Sequence, residues 1–415
     1  MSTITRTTTM TDLKALIASE HADLTAIRRN LHAHPQLMFE ERHAASVIVR
    51  ELERLGIEHK TGLARGTGVL AHLPATTSRP GATSIGLRAD MDALPIEERT
   101  GAPYTSTNPG VMHACGHDGH ITVLLGAARV LSQISQRPNP VTFVFQPAEE
   151  GGAGGQKMCA DGCLEGEVGR GFGPPVSQMY GLHGWPQYPV GVVATRPGPL
   201  LAATDEITIT VRGVQCHGAY PHHGSDPIVA SAAIITAIQT IASRTVGPLD
   251  SIVVSIGAIH AGTTANNVIP ETAHMIGTIR TLRDETRARA RQRFFEIVEH
   301  TAKAHGCTAE IDWEEGYPVT RNDPKLTDHF LAVARDAFGQ DRVAIVQDPT
   351  MGGEDFSFYG QHVPACFFLL GLCPEGADPA AVPQLHQPAF DFNDDAIPVG
   401  VEMMCRLALS NPQET

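Results

Sequence analysis

The chain of 415 residues is long enough for two or three domains, each with its own core, and its 42% hydrophobic content is that of an ordinary globular protein. A formal net charge of −14 argues against a nucleic-acid partner, and no apolar run approaches the ~20 residues of a membrane span. Eight cysteines lie scattered without a framework of regular spacings, and no charged-then-apolar leader is present, so the chain reads as cytoplasmic rather than as a disulfide scaffold.

Residues 1–10 are Thr-rich with Arg6 as their only charge; they are expected to fray, with Met10 as a second candidate start. From residue 12 to about 55 the apolar spacing is helical, and His34-Pro35 predicts a break into two helices. The segment 28–35, R-R-N-L-H-A-H-P, is polar enough to line a cleft, although a helix end with a proline stop explains it equally well. Residues 83–88 form a short apolar run that leads into A-D-M-D-A-L-P at 89–95. Acidic residues just beyond a buried strand lie where open α/β sheets place their sites, though a turn-forming aspartate is as natural.

The densest stretch is 112–120, M-H-A-C-G-H-D-G-H, with three histidines, a cysteine and an aspartate in nine residues. Thiolate, imidazole and carboxylate are the side chains that bind a borderline divalent ion such as zinc. Apolar residues at Ile121, Leu124, Leu125, Ala128 and Leu131 predict a helix over 121–135, whose entrance would favour a thiolate over a thiol. A strand at 141–145 runs into Q-P-A-E-E-G-G at 146–152, where one glutamate can ligate a metal while its neighbour works as a general base. A further strand-like piece, 179–182, delivers His183.

Around 193–201, with Pro197 and Pro199, the rhythm changes to that of a linker. Strand 205–211, helix 227–243, strands 251–259 and 272–281, helix 283–305 and strand 308–313 follow. That β-α-β-β-α-β order is the ferredoxin-like split. The α/β pattern then resumes with helix 323–338, strand 366–370, Leu385-His386-Gln387-Pro388 in a loop, and a closing helix 398–409. The expected fold is therefore α/β: a catalytic domain with a mostly parallel sheet and helices on both faces, plus an inserted ferredoxin-like α+β domain. The boundaries fall at 1–196, 197–314 and 315–415.

Cys115, His117, Glu150, His183 and His386 make five candidate ligands. One catalytic ion usually takes three protein ligands and keeps a water, so five fit two ions that share one, and a thiolate can bridge. Two ions ~3.5–4 Å apart can clamp a water and polarise the carbonyl it attacks. Glu149 would take the proton and pass it to a leaving nitrogen, which is amide hydrolysis without a covalent enzyme intermediate. A Cys115 nucleophile with His117 or His183 as base leaves the glutamate pair without a task. A non-catalytic metal-binding protein needs only one of the two carboxylates.

The motifs R-R-N-L-H-A-H-P, R-A-D-M-D-A-L-P, M-H-A-C-G-H-D-G-H and Q-P-A-E-E-G-G resemble those of the M20 metallopeptidase family, in its branch of hippurate, N-acyl-amino-acid and auxin-conjugate hydrolases. G-L-H-G-W-P at 181–186, N-N-V-I-P at 266–270, G-T-I-R at 277–280, M-G-G-E-D-F-S at 351–357 and L-H-Q-P-A-F-D-F-N-D at 385–394 extend the likeness over nearly the whole chain. The resemblance implies metal ligands at Cys115, His117, Glu150, His183 and His386, with Cys115 bridging. It implies Glu149 as general base and Asp92 as an orienter behind the ligands. Asp90 stands where other branches have a metal histidine, a task His117 would take over.

From the same resemblance, the inserted domain serves as lid and dimer interface, giving a homodimer or a higher homo-oligomer. His217 would reach a carbonyl oxygen, in its own or the partner's site, and Asn266 or Asn267 and Arg280 would hold polar groups of a small N-acyl amino acid. A carboxypeptidase and an N-acetyl-diaminopimelate deacetylase are the alternatives within the family. Zn, Mn, Co and Ni all suit these ligands. Two departures stand out: Gln215-Cys216 replace two usual glycines, and Ala365 replaces a glycine in the loop 363–366.

Overall fold

Helical spacing near the start of the chain is realised as two helices flanking His34-Pro35: α1, Met10–Ala33, and α2, Arg42–Leu55. The computed structural model describes residues 10–77 and 81–410, so the expected fraying of 1–10 lies outside it except for Met10, which opens α1. Helix α2 stops at Gly56, whose left-handed φ of 66° lets its N–H close on the carbonyls of Glu53 and Leu52.

In chain order follow β1 (Glu58–Leu63), β2 (Gly68–Leu73), β3 (Ser84–Asp90), α3 (His117–Gln133), β4 (Val141–Gln146), α4 (Gly154–Ala160), β5 (Val176–Pro189), β6 (Val193–Thr195) and β7 (Gly198–Leu201). Next come β8 (Ala203–Arg212), β9 (Cys216–His217), α5 (Pro227–Thr240), β10 (Ile252–Ala261), β11 (Val268–Ile269), β12 (Thr272–Thr281), α6 (Asp284–Ala304) and β13 (Thr308–Glu315). The chain ends with β14 (Thr320–Asn322), α7 (Pro324–Phe338), β15 (Val343–Ile345), β16 (Ala365–Cys373) and α8 (Ile397–Leu409).

Two units result. The first comprises the chain through Leu200, Arg321–Asp348 and the chain from Asp355 onward. Its sheet has the order β1-β2-β4-β3-β5-β16-β6-β15. The joins β4–β3, β3–β5, β5–β16 and β6–β15 are parallel, whereas β1–β2, β2–β4 and β16–β6 are antiparallel. Strand β4 shows how the two faces are used. Val141, Phe143 and Phe145 join the core shared with α1, α3 and α8, while Gln146 faces Asp355 and Tyr359. Helix α3 is buried almost all round and lies close to its neighbours. A Cβ at Gly126 would stand 2.5 Å from Val401 and 2.9 Å from Leu24.

The stretch 193–201, expected to be a linker, instead forms β6 and β7, and β6 is a buried strand of the main sheet. Three residues are too few to show a period, which hid it. Strand β1 escaped for another reason: it is an edge strand whose residues are mostly exposed, so its sequence carries no apolar alternation.

The second unit comprises Leu201–Thr320 with Pro349–Glu354. Its sheet, in the order β10-β12-β8-β13, is antiparallel at every join, and with α5 and α6 it makes the ferredoxin-like arrangement. Ile207, Ile209 and Val211 alternate inward from β8 onto Ala230, Ile234 and Ile238 of α5 and Phe294 and Val298 of α6. Asp226 caps α5 by accepting from the Ile228 and Val229 N–H groups, and Pro227 opens the helix. One sequence expectation needs correction here. Residues Pro227–Thr245 form a helical run that is, by length and composition, long and apolar enough to cross a membrane. Its Ala230, Ile234, Ile238 and Ile241 pack in this unit's core.

Candidate metal centre

Parallel pairing of β3 and β4 brings their carboxyl ends to one edge of the sheet, where an open α/β sheet places its chemistry. Strand β3 delivers Asp90 and, two residues on, Asp92; β4 ends at Gln146 and is followed by Glu149 and Glu150. Strand β5, on the other side of β3, carries His183 within its length. Gly116, left-handed at φ 83°, turns the ligand-rich loop directly into α3, which begins at His117 rather than at residue 121. His386 arrives from the far end of the chain. Its φ is 64°, and its N–H donates to the Ala114 carbonyl at 2.8 Å, next to Cys115.

These elements gather the five expected ligand residues. The Cys115 Sγ lies 3.3 Å from His183 Nε2 and 3.2 Å from His386 Nε2, and His386 Nε2 lies 3.1 Å from Glu150 Oε1. Donor atoms of Cys115, His117 and His183, of Cys115, Glu150 and His386, and of His117, Glu149 and Glu150 form three groups, each within 4.8 Å. Cys115 is common to two of them. Hydrogen bonds set the orientation of the rings. His183 Nδ1–H donates to the Gly184 carbonyl at 2.8 Å, and His117 Nδ1–H to the Asp92 carbonyl at 2.9 Å, so each presents Nε2 to the centre. His117 Nε2 is buried without a hydrogen-bond partner. Asp92 accepts from two successive peptides, Oδ1 from the Glu149 N–H and Oδ2 from the Glu150 N–H, both at 2.9 Å.

The charge pattern calls for cations. Burial pushes the Cys115 thiol well up, and Glu150, Glu149 and Asp90 push it further. Burial first, and these carboxylates after it, oppose the thiolate expected at the helix entrance. Burial lowers the His117 pKa, but Asp90 and then Asp92 raise it to about 10. Burial and His120 hold His183 well below the usual histidine range. His117 Nε2 and Cys115 Sγ would hold a divalent ion as neutral imidazole and thiolate, and such an ion would supply the positive charge that these carboxylates favour. Anionic oxygens, imidazole nitrogens and one sulfur in this number fit two borderline divalent ions.

Sequence reasoning assigned no role to His120. It follows His117 by three residues on α3, a spacing that puts both rings on one face. Its Nδ1–H donates to Asp90 Oδ1 at 2.6 Å and its Nε2 accepts the Gly184 N–H at 2.8 Å. Asp90 also takes Arg88 Nη1 at 2.7 Å, and Arg88 Nη2 reaches Asp355 Oδ1 at 2.8 Å, all fully buried. Arg28 and His32, placed by sequence at a possible cleft, are buried instead. Arg28 pairs with Asp391 and Asp394, and His32 with Asp118 and Glu98.

The remaining predicted residues belong to the second unit. His217 is on β9, which pairs with β11 through the register Val268↔His217, and the Gly218 N–H donates to the Asn267 carbonyl at 2.7 Å. His217, Asn266 and Asn267 are thus neighbours on exposed backbone. The Ala219 N–H donates to His217 Nδ1 at 3.0 Å, so a neutral ring carries its proton on Nε2. Arg280 lies apart on β12, with its Nε donating to Thr278 Oγ1 at 2.9 Å.

A model of peptidase family M20/M25/M40 matches residues 86–410. The chain is 39% identical over 376 residues to the N-acetyl-L-cysteine deacetylase of Bacillus subtilis (strain 168), covering 90% of this chain and 84% of that one. It is 36% identical over 390 residues to IAA-amino acid hydrolase ILR1-like 4 of Arabidopsis thaliana, covering 93% and 84%. A solved Bacillus subtilis structure, described as a dinuclear metal-binding peptidase of the M20 family, aligns with a TM-score of 0.79 and 32% identity over 94% of this chain and 98% of that one. Motifs, fold and relatives agree over nearly the full length, and the chain belongs to peptidase family M20/M25/M40, as a metal-dependent hydrolase of amides.

Proposed function

We propose that this enzyme cleaves the amide of N-acyl amino acids, hippurate-like compounds included, to a carboxylic acid and a free amino acid. Cys115, His117, Glu150, His183 and His386 would hold two divalent ions (Zn, Mn, Co or Ni), with Cys115 shared between them. When bound, such ions acidify an attacking water and polarise the scissile carbonyl. The observation that carries the reading is the division of labour within the glutamate pair. Glu150 faces His386 and Cys115, whereas Glu149 Oε1 accepts from the Asp355 N–H at 3.3 Å. Glu149 can then accept a proton from the water and return it to the leaving nitrogen. Asp92, gripping both peptides, keeps the two side chains in these separate roles.

For the substrate, Arg280 suits a carboxylate in two-point contact, and Asn266 or Asn267 its polar groups. The proton on His217 Nε2 suits donation to the developing oxyanion. N-acetyl-L-cysteine and IAA–amino acid conjugates, named for two relatives, both join an acyl group to an amino acid, which supports this substrate class. The second unit is proposed as lid and dimer interface, which makes the enzyme a homodimer or a higher homo-oligomer.

A panel of N-benzoyl, N-acetyl and N-indoleacetyl amino acids, assayed with each metal, tests the reading. It should include dipeptides and N-acetyl-diaminopimelate. Turnover of N-acyl amino acids above the others is expected; preference for dipeptides or for N-acetyl-diaminopimelate would instead indicate a carboxypeptidase or that deacetylase. Turnover of nothing in any metal would leave a binding protein.

A further inference from the structure

Glu41 is fully buried, although it sits at the start of a surface helix and next to the exposed Glu40. An acidic residue at a helix N-cap ordinarily accepts from its own helix's first N–H groups. Glu41 occupies the N-cap of α2 and makes no such bond. Its carboxylate is turned to three other segments instead. Oε1 accepts from the Phe39 N–H and from the Ala148 N–H, both at 2.9 Å, and Oε2 accepts from Thr67 Oγ1 at 2.7 Å.

Two of those donors belong to residues in a strained backbone region. Phe39 has φ 65° and Ala148 has φ 56°, conformations that a non-glycine residue holds only where its surroundings impose them. The space around Ala148 is also tight. A Cβ at Gly152 would stand 2.5 Å from the Ala148 Cβ and 3.0 Å from the Phe39 ring. Ala148 directly precedes Glu149 and Glu150, whose N–H groups are both taken by Asp92. Three successive peptides are therefore held by two carboxylates, one from the α1–α2 connection and one from the end of β3.

We propose that Glu41 is a positioning residue for catalysis: by fixing Ala148 in its left-handed conformation it sets the direction in which Glu149 presents its carboxylate. The proposal rests on the reading of Glu149 as the general base. Without Glu41 the Ala148 peptide relaxes, and the side chain one residue on swings with it. Glu150 is less exposed to that movement, because it lies one residue further on and its side chain is also held by His386. A misplacement of ~1 Å in such a group costs about a hundredfold in rate.

Glu41→Ala, Glu41→Asp and Glu41→Gln are compared as full-length, metal-loaded enzymes on the best substrate of the panel above. Metal content, metal affinity and amide hydrogen exchange over residues 147–152 are measured alongside. Glutamine keeps an acceptor for both N–H groups and can donate to Thr67 Oγ1, whereas aspartate is one methylene too short. The expected result is a kcat lowered ~10²-fold in Glu41→Ala and Glu41→Asp. KM and the content of two ions should stay unchanged and exchange over 147–152 should quicken, while Glu41→Gln should return most of the rate. Should Glu41→Ala fail to fold, Glu41→Asp decides. Wild-type kcat in these variants, metal lost in step with rate, or Glu41→Gln as slow as Glu41→Asp each overturns the proposal. Glu149→Gln run in parallel separates the two claims. A slow Glu149→Gln with unaffected Glu41 variants removes only the role of Glu41, and a fast Glu149→Gln removes the base assignment and this proposal with it.

Discussion

Adjacent glutamates with the same chemistry are separated here by what their side chains touch. Glu149→Gln should keep the metal content while losing roughly a hundredfold to ten-thousandfold in kcat, the usual range for general-base work. Glu150→Gln should instead weaken metal retention; metal analysis beside steady-state rates distinguishes the two, and the reverse pattern would exchange their roles. The proposed donors Cys115, His117 and Glu150 stand out in the sequence because thiol, imidazole and carboxylate side chains are dense in 112–120 and 146–152. The grips of Asp92 and Glu41 do not, because their partners are peptide N–H groups, which every sequence position supplies. Likewise the partners of Asp90, Arg88 and His120, were not legible in the sequence.

Many of the longer helices and strands were visible in the sequence, among them the α1–α2 break and the β-α-β-β-α-β order of the second unit, but β2, a buried strand of the main sheet, was not. Short or edge strands such as β1 and β6 were invisible because sheet pairing, not local pattern, makes them. The start of α3 was misplaced by four residues because its first turn, His117-Asp118-Gly119-His120, contains no apolar residue to extend the helical spacing. The loop after His386 seats on that turn, and a Cβ at Gly119 would stand 2.3 Å from the Phe392 ring. Gly119→Ala should therefore cost about 1–3 kcal/mol by overpacking, read as a lowered Tm, and should weaken metal affinity by displacing His386.

His32 ties α1 to Asp118 of α3 and to Glu98. Burial lowers its pKa, but the hydrogen bonds to Asp118 and Glu98 raise it to about 10, above the ordinary 6.5. A raised histidine stabilises the fold fully below its unfolded pKa and loses that contribution as pH climbs through the folded value. The stability gap between wild type and His32→Gln should thus be widest below about pH 6.5 and close between there and pH 10, as followed by urea unfolding. A gap that widens with rising pH would contradict the pairing.

At the scale of the whole molecule, the proposed metal donors all belong to the first unit and the proposed recognition residues His217, Asn266, Asn267 and Arg280 to the second. The division into α/β and ferredoxin-like parts could be read from the rhythm of the elements. The tasks of the second unit came only from family resemblance, since exposed histidines and asparagines have no signature of their own. His217→Ala should lower kcat by ~10²–10³ with metal content intact, as loss of an oxyanion donor does. If His217 serves the partner's site, mixing His217→Ala with Glu149→Gln subunits should regain activity. No regain after verified subunit exchange would confine each His217 to its own subunit or remove it from catalysis.

The central claim is that a two-ion site built on Cys115 performs amide hydrolysis, and metal removal with stoichiometric reconstitution tests it most directly. The chelated enzyme should hydrolyse no N-acyl amino acid, and titration with a single divalent ion should restore the rate in proportion to metal bound, levelling at two ions per subunit. Full activity in the metal-free protein, abolished instead by alkylating Cys115, would contradict this account and make the cysteine a nucleophile.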